Sequence, residues 1–140
     1  MAKKLSKAVA YIDGASRGNP GPASAGVVIQ DVSGGTVDTI SARIGVTTNN
    51  VAEYAGLIFA MQRALALGVK ELEIRTDSEL LARQFSGEYK IKDQTLKLLS
   101  VFVRHLNGQF KSVKVGHVPR EQNKLADAQA NKALDEESLF

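Results

Sequence analysis

Apolar and polar positions fall first into short alternating runs and later into longer helical stripes. Ala8–Ile12 is a brief apolar run ending at Asp13, which predicts a strand. The Gly/Pro-rich stretch 14–22 that follows predicts a loop. Ala25–Asp31 and Val37–Val46 predict two more strands, joined through Ser33-Gly34-Gly35 as a hairpin. From Val51 to Leu67 the positions Val51, Tyr54, Ile58, Met61 and Leu65 recur at helical spacing, and Leu57 with several alanines widens the stripe. That predicts a largely buried helix closed by Gly68. Glu71–Thr76 alternates as a strand ending at Asp77. Ser78–Phe85 and Gln94–Leu106 predict helices, Lys111–Val118 a strand, and Arg120–Leu134 a last helix just after Pro119. Strands joined through helices run parallel, whereas the first three, joined by short turns, run antiparallel. The order β-β-β-α-β-α-α-β-α therefore predicts an α/β fold, a five-stranded mixed sheet with helices packed on it.

Composition narrows the classes of function. A chain of 140 residues, 44% apolar and 24% charged, suits one globular domain, expected over 1–135 with an acidic, frayed tail at 136–140. Within that tail Ser138-Leu139-Phe140 offers either a docking peptide or a loose end. No run approaches the roughly 20 apolar residues of a membrane span. The amino end lacks a signal core, so a cytoplasmic protein without membrane association is expected. With no cysteine, disulfides and thiolate metal sites are excluded, and any metal must be held by oxygen or imidazole. Hard cations lead. A net charge of +3 is compatible with a polyanionic partner.

Four acids stand out by placement. If the strands ending at Asp13 and Asp77 pair in parallel, both carboxylates project from the carboxyl edge of the sheet, where open α/β sheets bind ligands. Neighbouring strands lie about 4.8 Å apart, close enough for two side chains to share a divalent ion. Glu53 sits early in the most apolar helix. The spacing Asn50-Val51-Ala52-Glu53 also fits a capping box, in which Glu53 serves only the helix end. Asp127, a poor helix former, lies inside a helix between Ala126 and Ala128, and its bland reading is a side chain that faces water. Asn19 and Asn50 fit turn and cap residues as well as they fit a binding surface. His117 at a strand end has a structural reading too, and His105 reads as a surface residue of its helix.

Taken together, D-G-A-S-R-G-N-P-G-P around Asp13, T-T-N-N-V-A-E-Y around Glu53, R-T-D-S-E around Asp77 and H-V-P-R-E-Q-N-K-L-A-D around Asp127 resemble, in order and spacing, the motifs of type 1 ribonucleases H across nearly the whole chain. The resemblance implies a ribonuclease H-like fold and an endonuclease that cuts the RNA strand of RNA/DNA hybrids, leaving 5′-phosphate and 3′-hydroxyl ends. It makes Asp13, Glu53, Asp77 and Asp127 the metal-binding carboxylates, for two Mg²⁺ ions with substrate and Mn²⁺ as a substitute. Packed together, four acids repel, so at least one should hold its proton until metal arrives. The resemblance also gives Asn19, Asn49 and Asn50 contacts to the minor groove, where a 2′-hydroxyl distinguishes RNA from DNA. It offers Thr48 and Arg120 as phosphate contacts and His117 as an aid to proton transfer or product release.

The chain departs from some members of that family in having a short region, 87–99, with only Lys90, Lys92 and Lys97 in place of a lysine-rich protrusion. The amino-terminal hybrid-binding domain of some relatives is not expected here. Weaker, more salt-sensitive binding is expected. Double-stranded RNA stays open as a second substrate, and a monomer is expected. Two alternatives remain at this point: a non-catalytic hybrid-binding module of the same fold, and a resolvase or integrase core. A pure binder gains nothing from concentrating acids where phosphates must lie, which disfavours the first. The N-P-G and T-N-N-x-A-E motifs disfavour the second.

Overall fold

The computed structural model describes residues 5–136, so the tail segment 137–140 lies outside the described residues. Five strands, β1 (Lys7–Ser16), β2 (Gly21–Gln30), β3 (Thr36–Thr47), β4 (Glu71–Thr76) and β5 (Ser112–His117), form one sheet in the order β3-β2-β1-β4-β5. The first three pair antiparallel, and β1-β4 and β4-β5 pair parallel, as expected from the lengths of their connections. The helices are α1 (Asn49–Ala66), α2 (Glu79–Phe85), α3 (Gln94–Asn107) and α4 (Lys124–Asp135).

Two faces of the sheet are used differently. Val27 and Ile29 of β2, Ala10 and Ile12 of β1, and Leu72 and Ile74 of β4 pack with Leu57, Ala60 and Met61 of α1 and Val103 of α3 in one apolar core. Side chains alternate along a strand, so Ser24 and Gly26 point to the other face, where α4 lies. There α4 comes close enough that a Cβ on Gly26 would overlap the Ala126 carbonyl and the Ala130 amide. Ser24 Oγ donates to the Ala130 carbonyl and Ser41 Oγ to that of Gln129, both at 2.6 Å. At the far end Arg43 donates to the carbonyls of Ala133 and Leu134, satisfying acceptors that every helix terminus leaves open. Arg17 adds an ion pair to Asp135. A short helix of modest apolar content is thereby fixed at several points along its length.

Local signals set the ends of α1. Thr48 is its N-cap, its Oγ1 accepting from the Val51 amide. Gly68, at φ +86°, follows the C-cap, and the Gly68 and Val69 amides donate to the carbonyls of Leu65 and Ala64, a Schellman arrangement.

The sequence expectations need three corrections. The stretch 14–22 is not all loop: β1 runs on through Gly14-Ala15-Ser16, which pair with Ala25, Ser24 and Ala23, and β2 begins at Gly21, which pairs with Thr47 of β3, so the turn is confined to 17–20. The capping box at Asn50 does not form, since Thr48 takes the cap and Glu53 lies beyond the first turn. Nor is Arg120–Leu134 one helix: Arg120–Gln122 is a 3-10 turn, and α4 starts only after Asn123, whose buried side chain turns inward to bond the strand beneath. Among the described residues no helix is long and apolar enough to cross a membrane.

Candidate active site

The register of β1 against β4 sets Ile12 opposite Thr76, so Asp13 and Asp77 follow side by side at the carboxyl edge of parallel neighbours. Glu53 reaches the same place from α1. The approach depends on Gly14, where a Cβ would sit 2.5 Å from the Ala52 carbonyl carbon and overlap the Glu53 amide. Only a residue without a side chain lets α1 lie this close to β1. As a result, carboxylate oxygens of Asp13, Glu53 and Asp77 all lie within 4.8 Å of one another. Asp13 and Glu53 are buried, and Asp77 is half-buried. Asp127, half-buried on the first turn of α4, lines the same cleft beside Asp13 but stands outside that tight trio.

The cleft holds about 530 Å³ and is lined also by Gly14, Ser16, Asn49, Arg120 and Asn131. A larger groove of about 630 Å³ among α1, α2 and α3 is lined by Leu57, Leu81, Phe85 and Val103 and contains no carboxylate, so hard-cation chemistry belongs to the smaller, polar cleft.

Crowding and burial have the expected electrostatic effect. Burial, the Glu53 charge and a hydrogen bond with Asp127, with further charge from Asp77 and Asp127, push the Asp13 carboxyl up to about 9. Burial and the Asp77 charge push Glu53 up to about 8, offset in part by the Gly14 amide and the Asp13 side chain. Glu53 Oε2 is buried without a hydrogen-bond partner. An acid held this way favours one of two partners, a proton or a cation, and oxygen donors at this spacing suit a hard divalent ion. The donor set fits.

The other predicted residues divide. Asn49 and Arg120 line the cleft. Asn19 and Thr48 do not line it and have local bonds already made: the Asn49 amide donates to Asn19 Oδ1 at 3.0 Å, and the Thr48 hydroxyl caps α1. Asn50 is exposed on the first turn of α1. His117 is not brought to the cleft. It pairs with Thr76 in the sheet, and alternation along β5 sends it to the same face as Val113 and Val115. His105 is exposed on α3, as expected. Lys90, Lys92 and Lys97 are exposed on and beside the α2–α3 connection. Two residues escaped the sequence reading. Asn131 follows Asp127 by one helical turn and donates to its carbonyl at 3.1 Å, a spacing that could have flagged it. Asn123 carries no comparable sequence signal.

Comparison with known proteins places this arrangement. A family model described as reverse transcriptase-like matches residues 11–133. Ribonuclease HI of Halobacterium salinarum is 45% identical over 127 residues, covering 91% of this chain and 64% of that protein. The bifunctional protein Rv2228c of Mycobacterium tuberculosis is 44% identical over 130 residues, 92% of this chain and 36% of that one. The chain thus spans less than two thirds of these relatives. The crystal structure of LC11-RNase H1 in complex with RNA/DNA hybrid superposes with a TM-score of 0.88 at 45% identity, covering 91% of this chain and 96% of the other. Fold, sequence and the order of acid-bearing elements agree, and the chain belongs to the reverse transcriptase-like family as a type 1 ribonuclease H domain.

Proposed function

We propose that this chain is a metal-dependent endoribonuclease that hydrolyses the RNA strand of RNA/DNA hybrids, as a single catalytic domain over 1–135. The observation that carries the reading is the tight trio of buried Asp13 and Glu53 with half-buried Asp77, and Asp127 beside it, at the carboxyl edge of a central parallel strand pair. The hybrid as substrate is supported by the ribonuclease HI relative and by the hybrid complex of the structural neighbour.

Asp13, Glu53, Asp77 and Asp127 would hold the metal. Two Mg²⁺ ions, or Mn²⁺ in their place, would make a water nucleophilic near neutral pH and neutralise charge on phosphate and leaving oxygen. In the hydrolysis the water oxygen bonds to phosphorus, the bond to the 3′ oxygen breaks, and that oxygen leaves with a proton. The products carry a 5′-phosphate and a 3′-hydroxyl. Arg120, on the rim of the cleft, pairs with a phosphate. Asn19, Asn49 and Asn50 present amides that both donate and accept, as a 2′-hydroxyl does, and Thr48 reaches the backbone of the DNA strand. His117, at the end of β5 and not lining the cleft, would have at most a secondary part in proton transfer or product release.

A substrate panel tests the reading. Labelled hybrid, single-stranded RNA, double-stranded RNA and double-stranded DNA are incubated with Mg²⁺, and product ends are checked by polymerase extension. Cutting of the hybrid's RNA strand to extendable 3′-hydroxyls is expected. Tight hybrid binding with no cleavage in Mg²⁺ or Mn²⁺ would instead make this a binding module of the same fold.

A further inference from the structure

Asn123 is fully buried between α4 and the sheet, and its role is not explained by packing alone. Its Nδ2 donates to the Ile12 carbonyl at 2.8 Å, and Ile12 immediately precedes Asp13. Its own carbonyl accepts from the Asp127 amide at 3.1 Å, the bond that opens α4. One residue therefore stands a single hydrogen bond from the neighbour of Asp13 and a single hydrogen bond from Asp127. The other anchors of α4 differ. Ser24, Ser41 and Arg43 hold its middle and far end, mostly to β2 and β3, which carry none of the four acids.

We infer that Asn123 is a positioning residue for the metal centre, which fixes the approach of Asp127 to the trio Asp13, Glu53 and Asp77. This rests on the proposed reading of that site. Two further observations favour positioning over stability alone. Among the described residues the Asn123 side chain makes one hydrogen bond, and it goes to the strand that carries Asp13, at the residue just before it. The backbone at Asn123, φ −116° and ψ 22°, also breaks what would otherwise be a continuous helix from Arg120, setting where the α4 axis starts. Asp127 is the acid for which this matters most, because it stands outside the tight trio and depends on helix placement to join it. Residues that orient metal ligands from behind typically change metal affinity or activity by about 10–100-fold when removed.

The test uses the full chain and Mn²⁺ alone, titrated calorimetrically into chelator-treated protein at constant pH, with hybrid cleavage followed in parallel. The proteins compared are wild type, Asp77→Asn, Asn123→Ala, Asn123→Ser and Leu134→Ala. Leu134 is buried at the opposite end of α4, so its truncation lowers thermal stability without touching the tether. Wild type should bind Mn²⁺ and Asp77→Asn should not, which tests the site itself. Asn123→Ala should bind Mn²⁺ about tenfold more weakly and need correspondingly more Mg²⁺ for half-maximal cleavage, while Leu134→Ala binds as wild type. Asn123→Ser keeps a residue suited to starting a helix but is too short to bond Ile12, so it folds if the alanine variant does not and shows the same weakening. Wild-type Mn²⁺ affinity in folded Asn123 variants, or an equal loss in Leu134→Ala, would overturn the inference and leave the site intact. Absence of Mn²⁺ binding by wild type would overturn the site and the inference together.

Discussion

Replacing Asp13 by Asn should stabilise the metal-free protein while destroying its activity. Asp13 is buried beside Glu53, with Asp77 and Asp127 close by, and its carboxyl is pushed up to about 9, against about 3.9 in an unfolded chain. A raised folded-state value means that its contribution to stability is fully present below about pH 4 and is lost as pH rises toward 9. At pH 7 the interval is about three units, a ceiling of about 4 kcal/mol. Part of that repulsion is shared with Glu53, and polar groups in an open cleft relax, so roughly half, about 2 kcal/mol, is expected for Asp13→Asn. For a chain of 140 residues this corresponds to a rise in Tm of roughly 6–8 °C. Thermal melts by circular dichroism in chelator, from pH 4.5 to 8.5, measure it directly. The gap between Asp13→Asn and wild type should widen with pH and narrow when Mg²⁺ is added, because only the wild type binds it. An equal or lower Tm for Asp13→Asn at pH 7, or a gap that does not shrink in acid, would refute the reasoning.

Further outcomes follow from the same structure. Gly14→Ala should cost more than about 2 kcal/mol and most of the activity, since a Cβ there collides with α1 backbone at Ala52 and Glu53 and drives Glu53 from the trio; a denaturant midpoint and a cleavage rate near wild type would contradict it. Arg43→Ala should lower stability by about 0.5–1.5 kcal/mol, read from urea unfolding, by freeing the Ala133 carbonyl at the end of α4 and leaving that of Leu134 to Arg17 alone. Because the raised acids release protons when metal binds, half-saturating Mg²⁺ should fall several-fold from pH 6.5 to 8.5. A pH-independent metal requirement would sink that link.

Much of the fold was legible because its signals are local. The helical stripe of α1, the glycine that ends it and the alternation in β4 each reside in a few neighbouring residues. The parallel sense of the strands that end at Asp13 and Asp77 followed from the rule that strands joined through a helix run parallel, but that the two strands are neighbours was a supposition, which the strand order bears out. What stayed hidden depends on partners far away in sequence. Gly14 reads as punctuation along the chain, yet it is a strand residue whose missing side chain admits α1. Thr48, Asn49 and Asn50 are all residue types able to cap a helix, so sequence could not choose among them. Asn123 lies in a polar stretch that looks like helix, and only the carbonyl of Ile12, 111 residues away, shows why the helix breaks there. His117 has the spacing of a functional histidine but is not among the residues that line the cleft.

The central claim, that the acid cluster is a metal-dependent catalytic centre acting on hybrids, is tested most directly by cleavage of an end-labelled RNA/DNA hybrid with Mg²⁺ or with chelator, by wild type and Asp77→Asn. Cutting of the RNA strand that requires Mg²⁺ and disappears in Asp77→Asn is the predicted result. Cleavage that survives either chelator or the substitution, or intact RNA with folded wild type in both Mg²⁺ and Mn²⁺, would contradict it.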